Sequence, residues 1–251
     1  MTRIRCTVPC AALLLLMSTV VRAQAPAATS TPTVDELIRK NIDARGGEER
    51  LQSIDTRRVT GTISIGDRQA KLRVLAKRPN LMLQEMLDGD QRFVTAFDGQ
   101  QAWAVNPMLG GTPQRIDGPP GEALRAQAQF DGPLIGAYRR GDRIEVVGPE
   151  LVDGVLTWKL AVHTGDRVVH VYLDQQTGLE RKVSAAIAGE AGDLLIESVF
   201  SDFETVEGLT MPRRVETRVG GELQATVQLQ SVEFNVPLDD SEFKMPSAST
   251  P

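Results

Sequence analysis

FDGQQAWAVNP (residues 97–107) reads as the tip and return strand of a β-hairpin, with Asp98-Gly99 turning the chain. A loop of two or four residues sets Trp103 opposite Val94 or Ala96. One face then carries Val94, Ala96, Trp103 and Val105, and the other Phe93, Thr95, Phe97, Ala102 and Ala104. Antiparallel sheets commonly keep one wet side. This hairpin has none, so it needs cover on both. Either both faces are solid core, one of them under an N-terminal helix, or a curled sheet with helices across its mouth encloses an apolar cavity for a ligand.

Period-two patterning runs outward from the hairpin in both directions. Upstream, Val59, Ile63 and Ile65 alternate with threonine and serine, Gly66-Asp67 turns the chain, and Leu72, Val74 and Ala76 alternate with Lys71, Arg73 and Lys77. Downstream of Gly141 a second meander begins, its strands joined by turns such as Thr164-Gly165-Asp166, Gln176-Thr177-Gly178 and Gly220-Gly221. Pairing Val162 with Val169 places Leu156, Trp158, Leu160, Val171 and Leu173 beside them on one face, with Lys159, His163, His170 and Tyr172 on the other. Apolar residues sit at odd positions through Leu223, Ala225, Val227 and Leu229, then at even positions in Val232 and Phe234. That phase change predicts a β-bulge near Gln230-Ser231.

Helices bracket the first meander. Thr33 and Glu36 form a capping box, a stripe of Val34, Leu37, Ile38 and Ile42 follows, and Gly46-Gly47 stops the helix before a short second one over 48–54. The insert at 107–141 is rich in glycine and proline. It predicts one helix opened by Pro119-Pro120 and carrying Leu124, and another capped by Asp131 that presents Leu134, Ile135 and Tyr138. The order is therefore helix, about five strands, a helical insert and about seven strands, a mainly β (α+β) fold. An antiparallel sheet of more than about ten strands must curl or close.

Residues 1–23 read as a cleaved secretory signal: Arg3 and Arg5 lead an apolar run too short to span a bilayer, and Val21-Arg22-Ala23 offers a small-residue cleavage site. A loose leader over 24–32 precedes a single domain over 33–246, and a disordered tail follows at 247–251. Both cysteines, Cys6 and Cys10, fall within the signal, so no disulfide staples the mature chain. Cleavage takes Lys+Arg from 28 to 25 against 33 Asp+Glu, and the formal charge from -5 to -8. Such a balance disfavours nucleic acid and anionic membrane surfaces.

The residues offer little for catalysis. Only His163 and His170 are near-neutral bases, and no G-x-S-x-G, H-E-x-x-H, P-loop or EF-hand pattern occurs. Two histidines on the polar face make at most half a zinc site. Asp239, Asp240 and Glu242 read as a turn cap that lets Phe243 tuck under the sheet. The expectation is a protein that is not an enzyme, with neither metal nor cofactor.

The capped helix ending in Gly-Gly, the pair FVTAFDGQQAWAVNP, the insert FDGPLIGAYRRG, the turn YLDQQTGLERKV and the closing PLDDSEFKMP together resemble the LolA-like superfamily of exported lipid and lipoprotein carriers. The likeness spans essentially the whole mature chain, through turn and core residues. It implies a curved antiparallel sheet forming an unclosed half-barrel, with helices over the concave side, and a cavity for acyl chains. It also implies a single cavity arginine, which no position in this sequence could be matched to. On this reading the protein is a soluble periplasmic carrier handing lipid or acylated protein toward the outer membrane, with inner- or outer-membrane proteins as further partners. Phe93, Phe97, Trp103, Met108, Leu124, Leu134, Ile135 and Tyr138 would line the cavity and its lid, formed by the insert. Arg139 and Arg140 would either meet an anionic headgroup or serve as a helix C-terminal pair favoured by the dipole. Two other readings stay open: a stress-sensing or regulatory interaction module of the same fold, and a hydrolase of lipids or glycans.

Overall fold

The structure, a computed structural model, describes residues 31–187 and 193–247. The expected signal, most of the leader and the last residues of the tail lie outside them. Helices α1 (Val34–Arg45) and α2 (Glu48–Gln52) open the chain. Strands β1 (Thr56–Ile65), β2 (Arg68–Lys77), β3 (Leu81–Asp88), β4 (Gln91–Asp98), β5 (Ala102–Val105) and β6 (Pro113–Ile116) follow. The insert supplies α3 (Gly118–Gln127) and α4 (Gly132–Arg140). The second meander comprises β7 (Ile144–Val152), β8 (Val155–Thr164), β9 (Arg167–Asp174), β10 (Glu180–Ile187), β11 (Leu194–Val206), β12 (Leu209–Val219) and β13 (Glu222–Phe234).

All thirteen strands join one antiparallel sheet ordered β6-β5-β4-β3-β2-β1-β13-β12-β11-β10-β9-β8-β7. The two meanders meet where the first strand pairs with the last, so β6 and β7 remain as edges and the half-barrel stays unclosed. Both edges are blunted. β6 is four residues long and begins with Pro113, while β7 carries Gly148-Pro149 beside a register shift. The expected bulge lies at the seam: Thr60 pairs with Ser231 and Gly61 with Leu229, leaving Gln230 unpaired. Here the backbones approach so closely that a Cβ on Gly61 would stand 2.3 Å from the Gln228 carbonyl oxygen. The sharp local bend of a bulge at mid-strand helps the sheet curl.

The capping box of α1 forms as expected, with the Thr33 hydroxyl accepting from the Glu36 amide and the Glu36 carboxylate from the Thr33 amide. α1 and α4 lie together on one end of the sheet, where Leu37, Ile38, Leu134 and Ala137 bury against Leu160, Val162, Val171 and Leu173. The register Val162 with Val169 holds, and the opposite face is polar. There the Tyr172 ring sits between the ammonium groups of Lys159 at 5.3 Å and Lys182 at 4.3 Å, each in turn paired with a glutamate.

The double-sided hairpin receives two different covers. Phe97 and Ala102 pack with Met82 beneath α3, against Ala128 and Leu124. Val94, Ala96 and Trp103 pack with Leu75 and Leu83 beneath the C-terminal segment, against Leu238 and Phe243. The Asp239–Glu242 capping box forms there and turns Phe243 inward. Trp103 Nε1 donates to the Phe243 carbonyl at 2.8 Å, which satisfies the buried indole N–H.

Candidate functional site

Cross-strand pairing identifies the cavity face. Val59 and Ile63 of β1 alternate inward, Leu72 and Val74 of β2 continue the row, and Val227, Val215 and Phe200 extend it through β13, β12 and β11. These residues line a cavity of about 470 Å³. Leu51 and Ile54, from α2 and the turn after it, line it from the helix side together with Gln127, Phe130 and Asp131 of the α3–α4 junction. A wall drawn from five adjacent strands, with helices across it, is the apolar concave site expected for a small hydrophobic ligand.

The charged residues of this lining are Arg45, Arg57, Arg78, Asp131 and Glu180. Arg78 is the most engaged: it donates to the Ile54 and Leu51 carbonyls at 2.7 and 2.9 Å and forks onto Asp131 at 2.7 and 2.8 Å. Arg139 reaches the same carboxylate at 2.7 Å. Asp131 was expected to cap α4. It occupies the cap position, but its side chain caps nothing and is held instead by the two guanidinium groups. A cap would give the carboxylate one neutral N–H donor, whereas here it meets two cationic guanidinium groups, one of them through two bonds, which decides the competition.

Burial pushes Asp131 up, but the hydrogen bonds from Arg78 and Arg139 more than offset it, and the carboxyl lies below its ordinary value. A carboxyl lowered on folding contributes stability above the ordinary aspartate value of about 3.9, and that contribution is lost as pH falls through the lower folded value. Asp131→Asn should therefore cost stability at neutral pH, with the gap to wild type narrowing as pH falls below the ordinary aspartate value of about 3.9. Urea midpoints measured across that range check it, and a gap independent of pH would refute it.

Arg57 differs from the other cations. It stands two residues before Val59 on the cavity face, and Phe130 lies beneath its guanidinium at 5.2 Å. Its Nε–H is enclosed and unpaired, and no carboxylate among the described residues comes within ion-pairing distance. Burial, with repulsion from Arg45 and Arg78 and against attraction from Asp131, draws it down to about 10, so it remains a cation at neutral pH. Glu180 is raised by burial, opposed by Arg45 at 4.0 Å. Sequence reasoning missed Arg57 because it begins a strand as Arg57-Arg58, a pair that reads as solvated.

The eight apolar residues singled out in the sequence are distributed around this cavity, outside its lining. Phe93 is nearest in pattern, pairing through Met86 with Leu72 on the same face. Phe97 and Leu124 join the cluster under α3, and Trp103 the one under the C-terminal segment. Leu134 and Ile135 are fully buried in α4. Tyr138 is half-exposed, and Met108 is 72% exposed on the turn after β5. Arg139 pairs with Glu48 as well as Asp131, and Arg140 with Asp142, both at 2.7 Å. His163 lies 3.2 Å from Glu145, and the described residues hold no cluster of three or more His, Cys, Asp or Glu placed to bind a metal. No helix among them is long and apolar enough to cross a membrane.

No protein-family model matches the sequence, and no curated protein does. Solved structures do. A DUF1329 family protein from Desulfovibrio piger superposes with a TM-score of 0.58 at 13% identity, covering 84% of this chain and 95% of that one. A LolA superfamily protein from Nitrosomonas europaea gives 0.56 at 17%, over 85% and 98%. An outer membrane lipoprotein-sorting protein domain from Vibrio parahaemolyticus gives 0.53 at 13%, over 84% and 97%. At such identities the likeness speaks for the backbone, and through it the thirteen-stranded open sheet with its covering helices has the LolA-like fold.

Proposed function

We propose that the protein is an exported, periplasmic carrier or chaperone that holds a hydrophobic ligand, a lipid or the acyl chain of a lipoprotein, and passes it toward the outer membrane. The observation that carries this reading is the cavity of about 470 Å³ between the concave sheet face and the helices, lined chiefly by valine, leucine, isoleucine and phenylalanine. A packed core fills such space, and interiors rarely leave voids larger than a water molecule. The lipoprotein-sorting name of one structural neighbour supports the choice of ligand class. Burying an acyl chain is worth about 0.8 kcal/mol per CH₂, ample for binding even after ordering costs.

Two measurements test the reading. Native mass spectrometry of protein taken from the periplasm, followed by organic extraction, should find a stoichiometric lipid or fatty acid. Thr217→Trp, which places a large ring in the cavity from near the end of β12, should weaken binding of a fluorescent acyl probe more than tenfold. Failure of wild-type protein to bind any acyl probe would overturn the carrier and favour an interaction module on the same fold.

A further inference from the structure

The cavity wall carries an imbalance of charge. Arg45, Arg57 and Arg78 face Asp131 and Glu180. Arg78 has Asp131, and Arg45 has Glu180 at the limit of ion pairing. Arg57 is left over, with its Nε–H enclosed and no acceptor among the described residues. An isolated cation in a low-dielectric site is costly unless something compensates it. Phe130, whose ring centre lies 5.2 Å from the Arg57 guanidinium and 4.5 Å from that of Arg78, supplies a π face to both but accepts no N–H···O bond. What the site lacks is an acceptor with two oxygens in one plane, the match for a guanidinium fork.

The apolar face that continues from Arg57 through Val59, Ile63, Leu72 and Val227 gives cover to a chain attached to that acceptor.

We infer that the ligand is an anionic amphiphile, an acyl or alkyl chain bearing a carboxylate or phosphate, whose head pairs with Arg57 beside Phe130 while the chain lies along Val59, Ile63, Leu72 and Val227. The inference rests on the carrier reading and specifies its ligand class.

The test compares hexadecanoate, hexadecyl phosphate and hexadecanol, each displacing a fluorescent acyl probe from wild type, Arg57→Gln and Arg57→Lys at neutral pH. Hydrogen bonds to a charged group are worth about 1.5–3 kcal/mol, or roughly 10- to 150-fold, and wild type should prefer the two acids over the alcohol by that factor. Whichever acid binds tighter identifies the head. Arg57→Gln should reduce both acids to the alcohol's affinity for the same variant, and Arg57→Lys should keep part of the preference.

Equal affinity of wild type for acid and alcohol overturns the inference while leaving the carrier standing. So does a preference that survives Arg57→Gln. Absence of binding by all three amphiphiles overturns both readings. If Arg57→Gln does not fold, the wild-type comparison of acid with alcohol decides alone.

Discussion

Phe243→Ala should lower the free energy of unfolding by about 3–5 kcal/mol. Phe243 is completely buried, at 0% exposure, against Leu75, Leu83, Val94, Ala96, Trp103 and Leu238. Its neighbours Asp239, Asp240, Ser241 and Glu242 are exposed, so Phe243 and Leu238 are the anchors of this segment. Truncation removes the ring's transfer energy, leaves a cavity, and loosens the carbonyl that accepts from Trp103 Nε1. The hairpin's second apolar face would then meet water. Urea unfolding measures the loss, and a red shift of tryptophan emission should accompany it because Trp103 is one of only two tryptophans. Phe243→Leu, closer in volume, should cost markedly less. A loss below about 1 kcal/mol for the alanine variant would mean that the C-terminal segment does not seal that face.

Gly46→Ala should be comparably severe, at about 3 kcal/mol or more, since two costs add. The residue adopts φ +123°, a conformation that costs a side chain about 1–3 kcal/mol. Its Cβ would stand 2.2 Å from the Gly208 carbonyl oxygen, and backbone cannot yield as a side-chain tip can. Overpacking of that kind adds about 1–3 kcal/mol. The site should suffer with the fold. Gly46 and Gly47 reverse the chain between α1 and α2, and so carry Arg45, Leu51 and Ile54 to the cavity. Acyl-probe affinity should fall together with the denaturation midpoint. Retention of both would show that the α1–α2 reversal tolerates a side chain.

Much of the half-barrel was legible because its signals are local. Alternation with a period of two, interrupted by Asp-Gly, Thr-Gly-Asp and Gly-Gly, defines strands and their pairing without knowledge of neighbours. The register Val162 with Val169 and the bulge at Gln230 follow from the phase of apolar residues alone. The capping boxes at Thr33 and Asp239 are motifs four residues long, and both form. The strand count fell one short in the first meander because β6, at four residues within a Gly- and Pro-rich insert, carries too few alternating positions to register.

The sequence alone determined that the hairpin at 91–105 is apolar on both faces, because two strands with a turn between them define their own sides. Tertiary structure decided what each face meets. Phe243 lies 140 residues from Trp103, and no local pattern announces that contact. The same holds for the cavity. Its wall depends on how thirteen strands roll, which turns Arg57 toward the cavity beside Phe130. Arg78 and Arg139 converge on Asp131 from separate elements and take it from its expected cap. Side-chain direction along one strand is a property of the chain, whereas the partner across a cavity is set by sheet curvature and by packing between distant segments.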